Sequence, residues 1–403
     1  MQARPIDDLT ADAVVRELHA IATWWLTHSI DDRHGGFAGE IDRTGKAVDG
    51  AAKGLVLNSR ILWFFSELSR FDDRPGYRAA ADRAYAVLRD SFTDPQYGGA
   101  FWAVDAAGNA VDDRKQTYAL CFCVYAFSAY YALTRIPEAR ALAREFFDVI
   151  EAHAPDRSRG GYLEAFARDW HAIGDMRLGE DDLNAPKSMN THLHLLEAYA
   201  YLHRVAPDAR SENALRNAIG LFRERIIDPE TGHLRLFFDL DWNELSRRSS
   251  IGHDIEASWL VWEAATVLGD AVELARLREP VLSLARTCLR TGMGKLGQVC
   301  DGRETATGNR SDDSVWWVQA EALVGFLNAQ RLSGEPEFET AARAVWEHIQ
   351  RRHIDAAAGE WHWMVRADGK PDPGFYKAGF WKGPYHNGRA MMEAARLLSG
   401  PGN

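Results

Sequence analysis

The sequence lacks the patterns that would place it in several large classes of proteins. Its four cysteines show no C-x-x-C spacing and are expected to be buried free thiols. They are Cys121, Cys123, Cys288 and Cys300. The formal net charge of −11 argues against a nucleic-acid partner, because phosphate binding requires a basic surface.

Membrane and linker signals are also missing. We find no apolar run of about 18 residues, the length that could cross a bilayer. The segment Met1–Asp12 has no apolar stretch typical of a secretory signal. No proline- or serine-rich linker interrupts the 403 residues. These absences predict a cytoplasmic protein with one domain over residues 1–403, no membrane partner, and a monomeric or weakly dimeric state.

A glycine-and-aromatic turn recurs along the chain at intervals of a little over sixty residues. The six copies are Gly35-Gly36-Phe37, Gly98-Gly99-Ala100-Phe101, Gly160-Gly161-Tyr162, Gly232-His233-Leu234, Gly294-Lys295-Leu296 and Gly359-Glu360-Trp361. Each copy predicts a short β-hairpin, and two helical patterns lie between consecutive copies. Such a period indicates one structural unit repeated around or along an axis.

The two ends of the chain complete the last unit. Apolar periodicity predicts a helix from about Ala11 to His28 and a lone C-terminal helix from about Tyr385 to Leu398. Pairing these two helices gives six units, which favours a closed all-α (α/α)6 barrel of six inner and six outer helices over an open solenoid. A hydrophobic content of 46% is enough to fill a large core.

Polar and aromatic residues mark the beginning of each predicted inner helix. Those at similar distances after the turns are Arg60, Tyr118, His194, His253, Trp316 and His386. We therefore expect them to meet at one mouth of the barrel, where a toroid has its cavity.

Spacing within the helices adds further candidates. Asn190 lies four residues before His194 and shares its helix face, whereas His192 points away from that face. Glu256 lies three residues after His253, a spacing at which the carboxylate can orient the imidazole and raise its basicity.

Each candidate also has a structural interpretation. His386 can cap a helix, Arg60 can form a buried salt bridge, and Trp316 and Trp381 can belong to the core. In the functional interpretation, Arg60 binds an anion or a developing oxyanion. The two tryptophans then stack on sugar rings.

Four strings of residues resemble a known family. They are Lys187-Ser188-Met189-Asn190-Thr191-His192-Leu193-His194, Gly252-His253-Asp254-Ile255-Glu256-Ala257-Ser258-Trp259, Trp316-Trp317-Val318-Gln319-Ala320-Glu321 and Gly379-Phe380-Trp381-Lys382-Gly383-Pro384-Tyr385-His386-Asn387-Gly388-Arg389. They are similar to strings of the cellobiose 2-epimerases, within the wider N-acylglucosamine 2-epimerase superfamily. The likeness spans essentially the whole chain. It implies the (α/α)6 barrel and an isomerase that acts on a small sugar without a cofactor or a metal.

The resemblance also implies catalytic roles. His253 and His386 match the two general acid/base residues, and Glu256 matches the partner that orients His253. His194 matches the residue that assists opening and closing of the sugar ring.

Substrate-binding roles follow in the same way. Arg60, Tyr118 and Asn190 match the groups that hold O1, O2 and O3 of the reacting glucose, and Trp316 and Trp381 match the stacking aromatics. In the loop from Trp170 to Lys187, Asp182 is expected to shape the subsite for a second sugar.

The chemistry accounts for two histidines. Inversion of C2 requires ring opening, removal of the C2 proton and its return to the other face of a cis-enediolate. Imidazole, with a reference pKa of about 6.5, can serve as acid or base on either face. The predicted reaction is epimerisation at C2 of the reducing-end glucose of β-1,4-linked disaccharides, such as cellobiose to glucosyl-mannose.

Other functions remain open at this point. A mannose 2-epimerase or an aldose–ketose isomerase acting on monosaccharides uses the same enediolate. A glycoside hydrolase on the same barrel needs two acidic residues, for which Glu256 with Asp182 or Asp254 are candidates. A noncatalytic sugar-binding protein needs the aromatic residues but not two histidines.

Overall fold

A computed structural model describes residues 6–304 and 307–400, so the first five residues of the N-terminal segment considered above lie outside it. Within those ranges, twelve α-helices alternate between inner and outer positions. The inner helices are α2 (Leu55–Phe71), α4 (Thr117–Thr134), α6 (Met189–Val205), α8 (Ile251–Leu268), α10 (Trp316–Ser333) and α12 (Tyr385–Leu398). The outer helices are α1 (Ala11–His28), α3 (Tyr77–Val87), α5 (Pro137–His153), α7 (Ala209–Leu221), α9 (Ala271–Gly292) and α11 (Pro336–His348). Short π-helical segments continue α3, α7 and α11 at Leu88–Phe92, Phe222–Ile226 and Ile349–His353.

The helices close into a ring. Each inner helix packs against the next one along the chain, and α12 packs against α2. Each outer helix packs mainly on one inner helix, and α1 covers α12. The fold is therefore an (α/α)6 barrel, and the predicted pairing of the first and last helices is confirmed.

Inner helix α4 differs from the sequence prediction. By length and composition alone it could cross a membrane, although we expected no apolar run of that kind. Of its residues, 83% are buried inside the barrel, between α2, α5 and α6. A helix surrounded by protein is apolar on all sides for the same reason as a helix surrounded by lipid. Two of the four cysteines lie in this helix, and all four are buried and free, as predicted.

Each repeat begins with a hairpin closed by an antiparallel bridge. The bridged pairs are Ile30–Phe37, Thr93–Ala100, Pro155–Tyr162, Ile227–Leu234, Met293–Val299 and Ile354–Trp361. The fifth turn was placed wrongly from the sequence. Its left-handed glycine is Gly297, with φ of 82°, because Val299 and not Leu296 pairs with Met293. Only glycine adopts that backbone conformation without strain, so Gly297 and not Gly294 is the repeated position.

Short antiparallel strands connect the hairpins to the helices. They are β1 (Lys53–Gly54), β2 (Ala103–Val104), β3 (Ala110–Asp112), β4 (Lys115–Gln116), β5 (Ala165–Phe166), β6 (Lys187–Ser188), β7 (Phe237–Phe238), β8 (Arg248–Ser250), β9 (Gly302–Glu304), β10 (Ser314–Val315) and β11 (Met364–Val365). The sheets are β1-β2-β3, β4-β5, β6-β7, β8-β9 and β10-β11. Strands β1, β4, β6, β8 and β10 each lead directly into an inner helix. This pairing places the first turns of those inner helices at one end of the barrel.

Buried ion pairs fix several hairpins to these strands. The pairs are Lys53–Asp31 at 2.9 Å, Lys115–Asp94 at 2.8 Å and Lys187–Asp156 at 2.9 Å. In each pair the lysine precedes an inner helix by two positions and the aspartate belongs to the preceding hairpin. The same contact therefore positions three successive inner helices, α2, α4 and α6.

Candidate active site

A cavity of about 260 Å³ lies at this end of the barrel, beside the first turns of the inner helices. The structure brings all ten candidate residues to its wall. They are Arg60, Tyr118, Asp182, Asn190, His194, His253, Glu256, Trp316, Trp381 and His386. The residues on inner helices meet in this cavity because equivalent positions of the repeated helices lie at the same end of the ring.

His386 is held by a carboxylate that the sequence analysis did not assign. Its Nδ1 lies 2.6 Å from Oε1 of Glu321. Glu321 also accepts hydrogen bonds from Nε1 of Trp259 at 3.1 Å and from Nη2 of Arg389 at 2.7 Å. Burial, together with the charges of Arg60 and Arg389, holds the pKa of His386 well below its usual range. The imidazole is therefore neutral near pH 7, with Nδ1 bound to Glu321.

His253 has a different partner from the one predicted. Its Nδ1 lies 2.6 Å from Oγ of Ser250, three residues before it, and not on Glu256, three residues after it. Glu256 instead accepts from Nη2 of Arg389 at 2.9 Å and lies 3.9 Å from Nδ1 of His386. The prediction that Glu256 orients His253 is therefore wrong. Burial lowers the pKa of His253, so this imidazole is also neutral near pH 7.

At His194, unlike at His253, a glutamate three residues later does hydrogen-bond the imidazole. Its Nδ1 lies 2.9 Å from Oε2 of Glu197, three residues later in α6. Burial lowers the pKa of His194 to about 4. Burial alone would raise the pKa of Glu197, but Arg389 and the hydrogen bond from His194 lower it to about 2. The same sequence argument, applied to His194, would have found this pair.

His192 lies outside the cavity, as its position two residues from His194 predicts. Its Nδ1 donates to the carbonyl of Ser188 at 2.6 Å, and its Nε2 accepts from the backbone N–H of Tyr162 at 3.0 Å. Burial lowers its pKa to about 4. The residue ties the third hairpin to the beginning of α6, which is a structural role.

Below the cavity, one guanidinium joins three buried carboxylates. Arg389 donates to Glu197, Glu256 and Glu321. Burial and the charge of Glu321 raise the pKa of Glu256 well above its usual range. Glu321 accepts from three donors, whereas Oε2 of Glu256 has no partner among the described residues, so of the two carboxyl groups Glu256 is the one that more readily holds a proton. With that proton bound, the cluster carries two carboxylate charges against one arginine.

Part of this cluster has the geometry of metal ligands. One donor atom from each of Glu256, Glu321 and His386 lies within 4.8 Å of the others, a grouping that no sequence spacing indicated. However, Nη2 of Arg389 hydrogen-bonds both carboxylates, at 2.9 and 2.7 Å. The guanidinium supplies the positive charge that these carboxylates require.

Arg60 presents an uncompensated charge to the cavity. Its Nη2 donates to the hydroxyl of Tyr118 at 2.7 Å and its Nη1 to the carbonyl of Trp381 at 3.1 Å. Its guanidinium lies 4.5 Å from the ring centroid of Phe122. Within the described part of the chain, no carboxylate forms a salt bridge with Arg60. The Nε of Arg60 and the Oδ1 of Asn190 are both buried without a hydrogen-bond partner among the described residues. The structural salt bridge considered above is therefore not formed.

Aromatic rings form two walls of the cavity. Trp316, which is 3% exposed, lies against Trp363 with a centroid distance of 4.4 Å. The ring of Trp317 lies 4.8 Å from that of His253 and 5.7 Å from that of His386. Sequence reasoning missed Trp363 and Trp317. From the sequence alone Trp317 could not be distinguished from a core tryptophan, yet its ring lies beside both imidazoles.

A second cavity of about 620 Å³ adjoins the first on the outer side. It is lined by Trp102, Arg114, Trp381 and the loop that carries Asp182. Asp182 and Trp381 line both cavities. Burial raises the pKa of Asp182, whose Oδ2 accepts from the backbone N–H of Gly179 at 2.9 Å. The two cavities together form one cleft with an inner and an outer compartment.

Gly252 makes room for Trp317, and we expect Gly252→Ala to destabilise the barrel. An added Cβ would lie 2.6 Å from Cη2 of Trp317 and 2.7 Å from Cγ2 of Val318. Overpacking of this kind costs about 1–3 kcal/mol in the free energy of unfolding, measurable by urea denaturation. The control is Gly220→Ala in α7, where nothing lies within 4 Å and added helix propensity is stabilising. Equal stability of the two variants would contradict this account of Trp317.

Sequence and structure comparisons give consistent relatives. The model of the N-acylglucosamine 2-epimerase (GlcNAc 2-epimerase) family matches residues 35–387. The chain is 43% identical over 389 residues to a cellobiose 2-epimerase of Bacteroides fragilis, covering 96% of this chain and 99% of that protein. It is 37% identical over 366 residues to a cellobiose 2-epimerase of Ruminococcus albus, covering 90% and 92%. A solved structure of cellobiose 2-epimerase from Bacillus thermoamylovorans superposes with a TM-score of 0.91 at 36% identity, covering 96% and 98%.

Proposed function

We propose that this chain, which belongs to the N-acylglucosamine 2-epimerase family, inverts C2 of the reducing-end glucose of β-1,4-linked disaccharides and converts cellobiose to glucosyl-mannose. One observation carries the proposal. Two neutral imidazoles, His253 and His386, line one cavity, and the ring of Trp317 lies 4.8 Å from the first and 5.7 Å from the second. The relatives that are named cellobiose 2-epimerase support the choice of disaccharide.

The two imidazoles exchange protons with opposite faces of C2. In both rings Nδ1 is engaged, by Ser250 or by Glu321, and Nε2 has no hydrogen-bond partner among the described residues. One Nε2 removes the C2 proton and leaves the electron pair in the enediolate. The other ring takes a proton from solvent and returns it to the opposite face of C2, while the first ring releases its proton to solvent. The negative enediolate and the Glu321 carboxylate favour the imidazolium form of His386 at that moment. Proton transfer by a positioned group typically contributes roughly 10²–10⁴-fold to the rate.

Arg60 stabilises the enediolate. Its charge has no carboxylate partner in the described residues, so it is available to the negative oxygens at C1 and C2. Burial raises the pKa of Tyr118 to about 12, so its hydroxyl stays protonated. That hydroxyl accepts from Arg60 and keeps its own hydrogen to donate to the sugar. Donors fixed in advance around a developing charge are a large source of rate enhancement.

His194 opens and closes the sugar ring. Its Nδ1 is bound to Glu197, which Arg389 holds in place. Nε2 is left to exchange a proton with the ring oxygen or O1. Nearby, Oδ1 of Asn190 accepts from a sugar hydroxyl, which would satisfy an acceptor that is otherwise buried and unpaired.

The compartments of the cleft favour a disaccharide over a monosaccharide. The reacting glucose occupies the inner compartment of about 260 Å³, beside the histidines. The second sugar extends into the outer compartment of about 620 Å³, against Trp102 and Trp381. Asp182 lies where the two compartments meet and binds the second ring.

Hydrolysis is not supported by the acidic residues. Asp254 lies outside the cleft, where it accepts from Nδ1 of His233 at 2.6 Å and from the N–H of Leu234 at 2.8 Å. Glu256 is paired with Arg389, and burial and the charge of Glu321 raise its pKa. A glycosidase needs a pair of carboxyl groups across the scissile bond, both free to act on it. Of the three candidates, only Asp182 lines the cleft without belonging to the Arg389 cluster.

A panel of sugars tests the proposal. The protein is incubated separately with cellobiose, lactose, mannobiose, glucose and mannose, and the products are resolved by chromatography. We expect epimerised disaccharides and little change in the monosaccharides. Conversion confined to glucose and mannose would instead identify a monosaccharide epimerase or isomerase, and release of glucose from cellobiose would identify a hydrolase.

We expect EDTA to leave the epimerase activity intact. The carboxylates that could bind a metal with His386 are already paired with Arg389, and every acid, base and oxyanion partner in the reaction is a side chain. The initial rate is measured after dialysis against EDTA and again after addition of a divalent metal. A loss of activity that the metal restores would refute this account.

A further inference from the structure

Ser250 connects His253 to a second carboxyl group. Its Oγ lies 2.6 Å from Nδ1 of His253 and 2.7 Å from Oδ1 of Asp301. Asp301 also accepts from the backbone N–H of Gly252 at 3.0 Å. The pairing of β8 with β9 places Ser250 opposite Gly302, so the sheet itself holds Asp301 beside the hydroxyl.

The directions of these hydrogen bonds follow from the number of protons. A serine hydroxyl has one hydrogen to donate and two lone pairs, and an ionised carboxylate only accepts. Ser250 therefore donates to Asp301 and accepts from Nδ1–H of His253, and its other lone pair faces the backbone N–H of His253 at 3.4 Å. The imidazole is thereby confined to the tautomer with its proton on Nδ1. Nε2 keeps the lone pair that a base needs.

The two histidines are thus supported unequally. His386 contacts the carboxylate of Glu321 directly, and both of its neighbours Glu321 and Arg389 are almost fully buried. Among the described residues, the hydrogen-bond partner of the His253 side chain is a neutral hydroxyl, and the carboxylate of Asp301 lies beyond that hydroxyl. Among the described carboxylates, Asp301 is the one that hydrogen-bonds Ser250. Its removal should therefore slow proton transfer on the face of C2 served by His253 and not on the other face.

We propose that Ser250 and Asp301 are positioning residues that fix the tautomer of His253 and so make its Nε2 the base for one epimer. The inference rests on the proposed function. When C2–H breaks, its proton binds Nε2 and its electrons remain in the enediolate. Asp301 then stabilises the imidazolium through Ser250, and the proton leaves from Nε2 to solvent.

The test measures exchange of the C2 proton with D2O, starting separately from cellobiose and from glucosyl-mannose. Ser250→Ala should slow exchange of the epimer that His253 deprotonates by roughly 10–100-fold, the loss typical when the hydrogen-bond partner that orients a metal-bound histidine is removed. Exchange of the other epimer, which depends on His386, should change little. Ser250→Thr, which keeps the hydroxyl, should recover much of the lost rate.

Asp301→Asn provides an independent variant, because Ser250 also caps α8 and its removal can weaken the helix. An amide can donate to Ser250, which then donates to Nδ1 and places the proton on Nε2, the wrong tautomer for a base. The same half-reaction should slow. The negative charge of Asp301 raises the pKa of His253, so its removal should also move the acid limb of that half-reaction to lower pH.

The outcomes separate this inference from the proposed function. Equal slowing of both exchanges, or wild-type exchange in Ser250→Ala and Asp301→Asn, would overturn the positioning role while leaving the epimerase intact. Absence of exchange from both sugars in the wild-type protein would overturn the proposed function itself. Thermal unfolding of each variant shows whether slowing reflects loss of the fold.

Discussion

Replacing His253 or His386 by asparagine is expected to abolish net epimerisation while one proton exchange survives in each variant. In the proposed mechanism each imidazole faces one side of C2, so the remaining histidine should still remove and return the proton of the epimer that it faces. The two variants should therefore incorporate deuterium from D2O into opposite substrates, one into the gluco and the other into the manno form. NMR of the recovered sugars measures both exchanges.

The matched control is His171→Asn. His171 is 82% exposed and contacts only Asp169 among the described ionic partners. We expect wild-type epimerisation and wild-type exchange from both sugars. If the variant at His253 or at His386 epimerised cellobiose at a near wild-type rate, the assignment of one base to each face would be wrong.

Arg389→Met is expected to lower the free energy of unfolding by about 3–5 kcal/mol, the usual cost of removing one partner of a buried ionic cluster. The guanidinium is 2% exposed and donates to Glu197, Glu256 and Glu321. Without it, ionised Glu197 and Glu321 remain buried without their cation. Urea denaturation, monitored by circular dichroism, gives the difference in unfolding free energy.

Arg343→Met is the control for this substitution. Arg343 pairs with Glu339 at 2.7 Å on outer helix α11, with the two side chains 52% and 47% exposed. Exposed helical pairs of this spacing contribute about 0.3–0.5 kcal/mol. A destabilisation of Arg389→Met no larger than that of Arg343→Met would show that the cluster does not hold the barrel together.

The fold was predictable because its determinants repeat. The predicted bounds of α1 and α12 coincide with those observed, since each helix carries a clear apolar stripe and a definite end. The fifth turn was misplaced because two glycines, Gly294 and Gly297, lie three residues apart, and the sequence does not tell which has positive φ. The apolar character of α4 was underestimated because a few polar residues interrupt its otherwise apolar sequence.

The positions of the candidate residues were predictable, but their partners were not. All ten lie in the first two turns of inner helices or in loops beside one cavity. In contrast, the partner of His386 lies 65 residues earlier, on the neighbouring helix α10, and only the packing of α10 against α12 brings it near. The side chain of His253 turns back to Ser250 rather than forward to Glu256, a choice of rotamer that residue spacing does not determine.

The most direct test of the two-base epimerisation is one wild-type reaction in D2O. Cellobiose is converted to a low extent, and the disaccharide product is isolated and examined by NMR. We predict glucosyl-mannose with one solvent deuterium at C2 and protium at the other carbons, because the returning proton comes from the histidine opposite to the one that removed it. Product that retains the original protium at C2 would contradict the account and require transfer of a hydride or cleavage of a carbon–carbon bond.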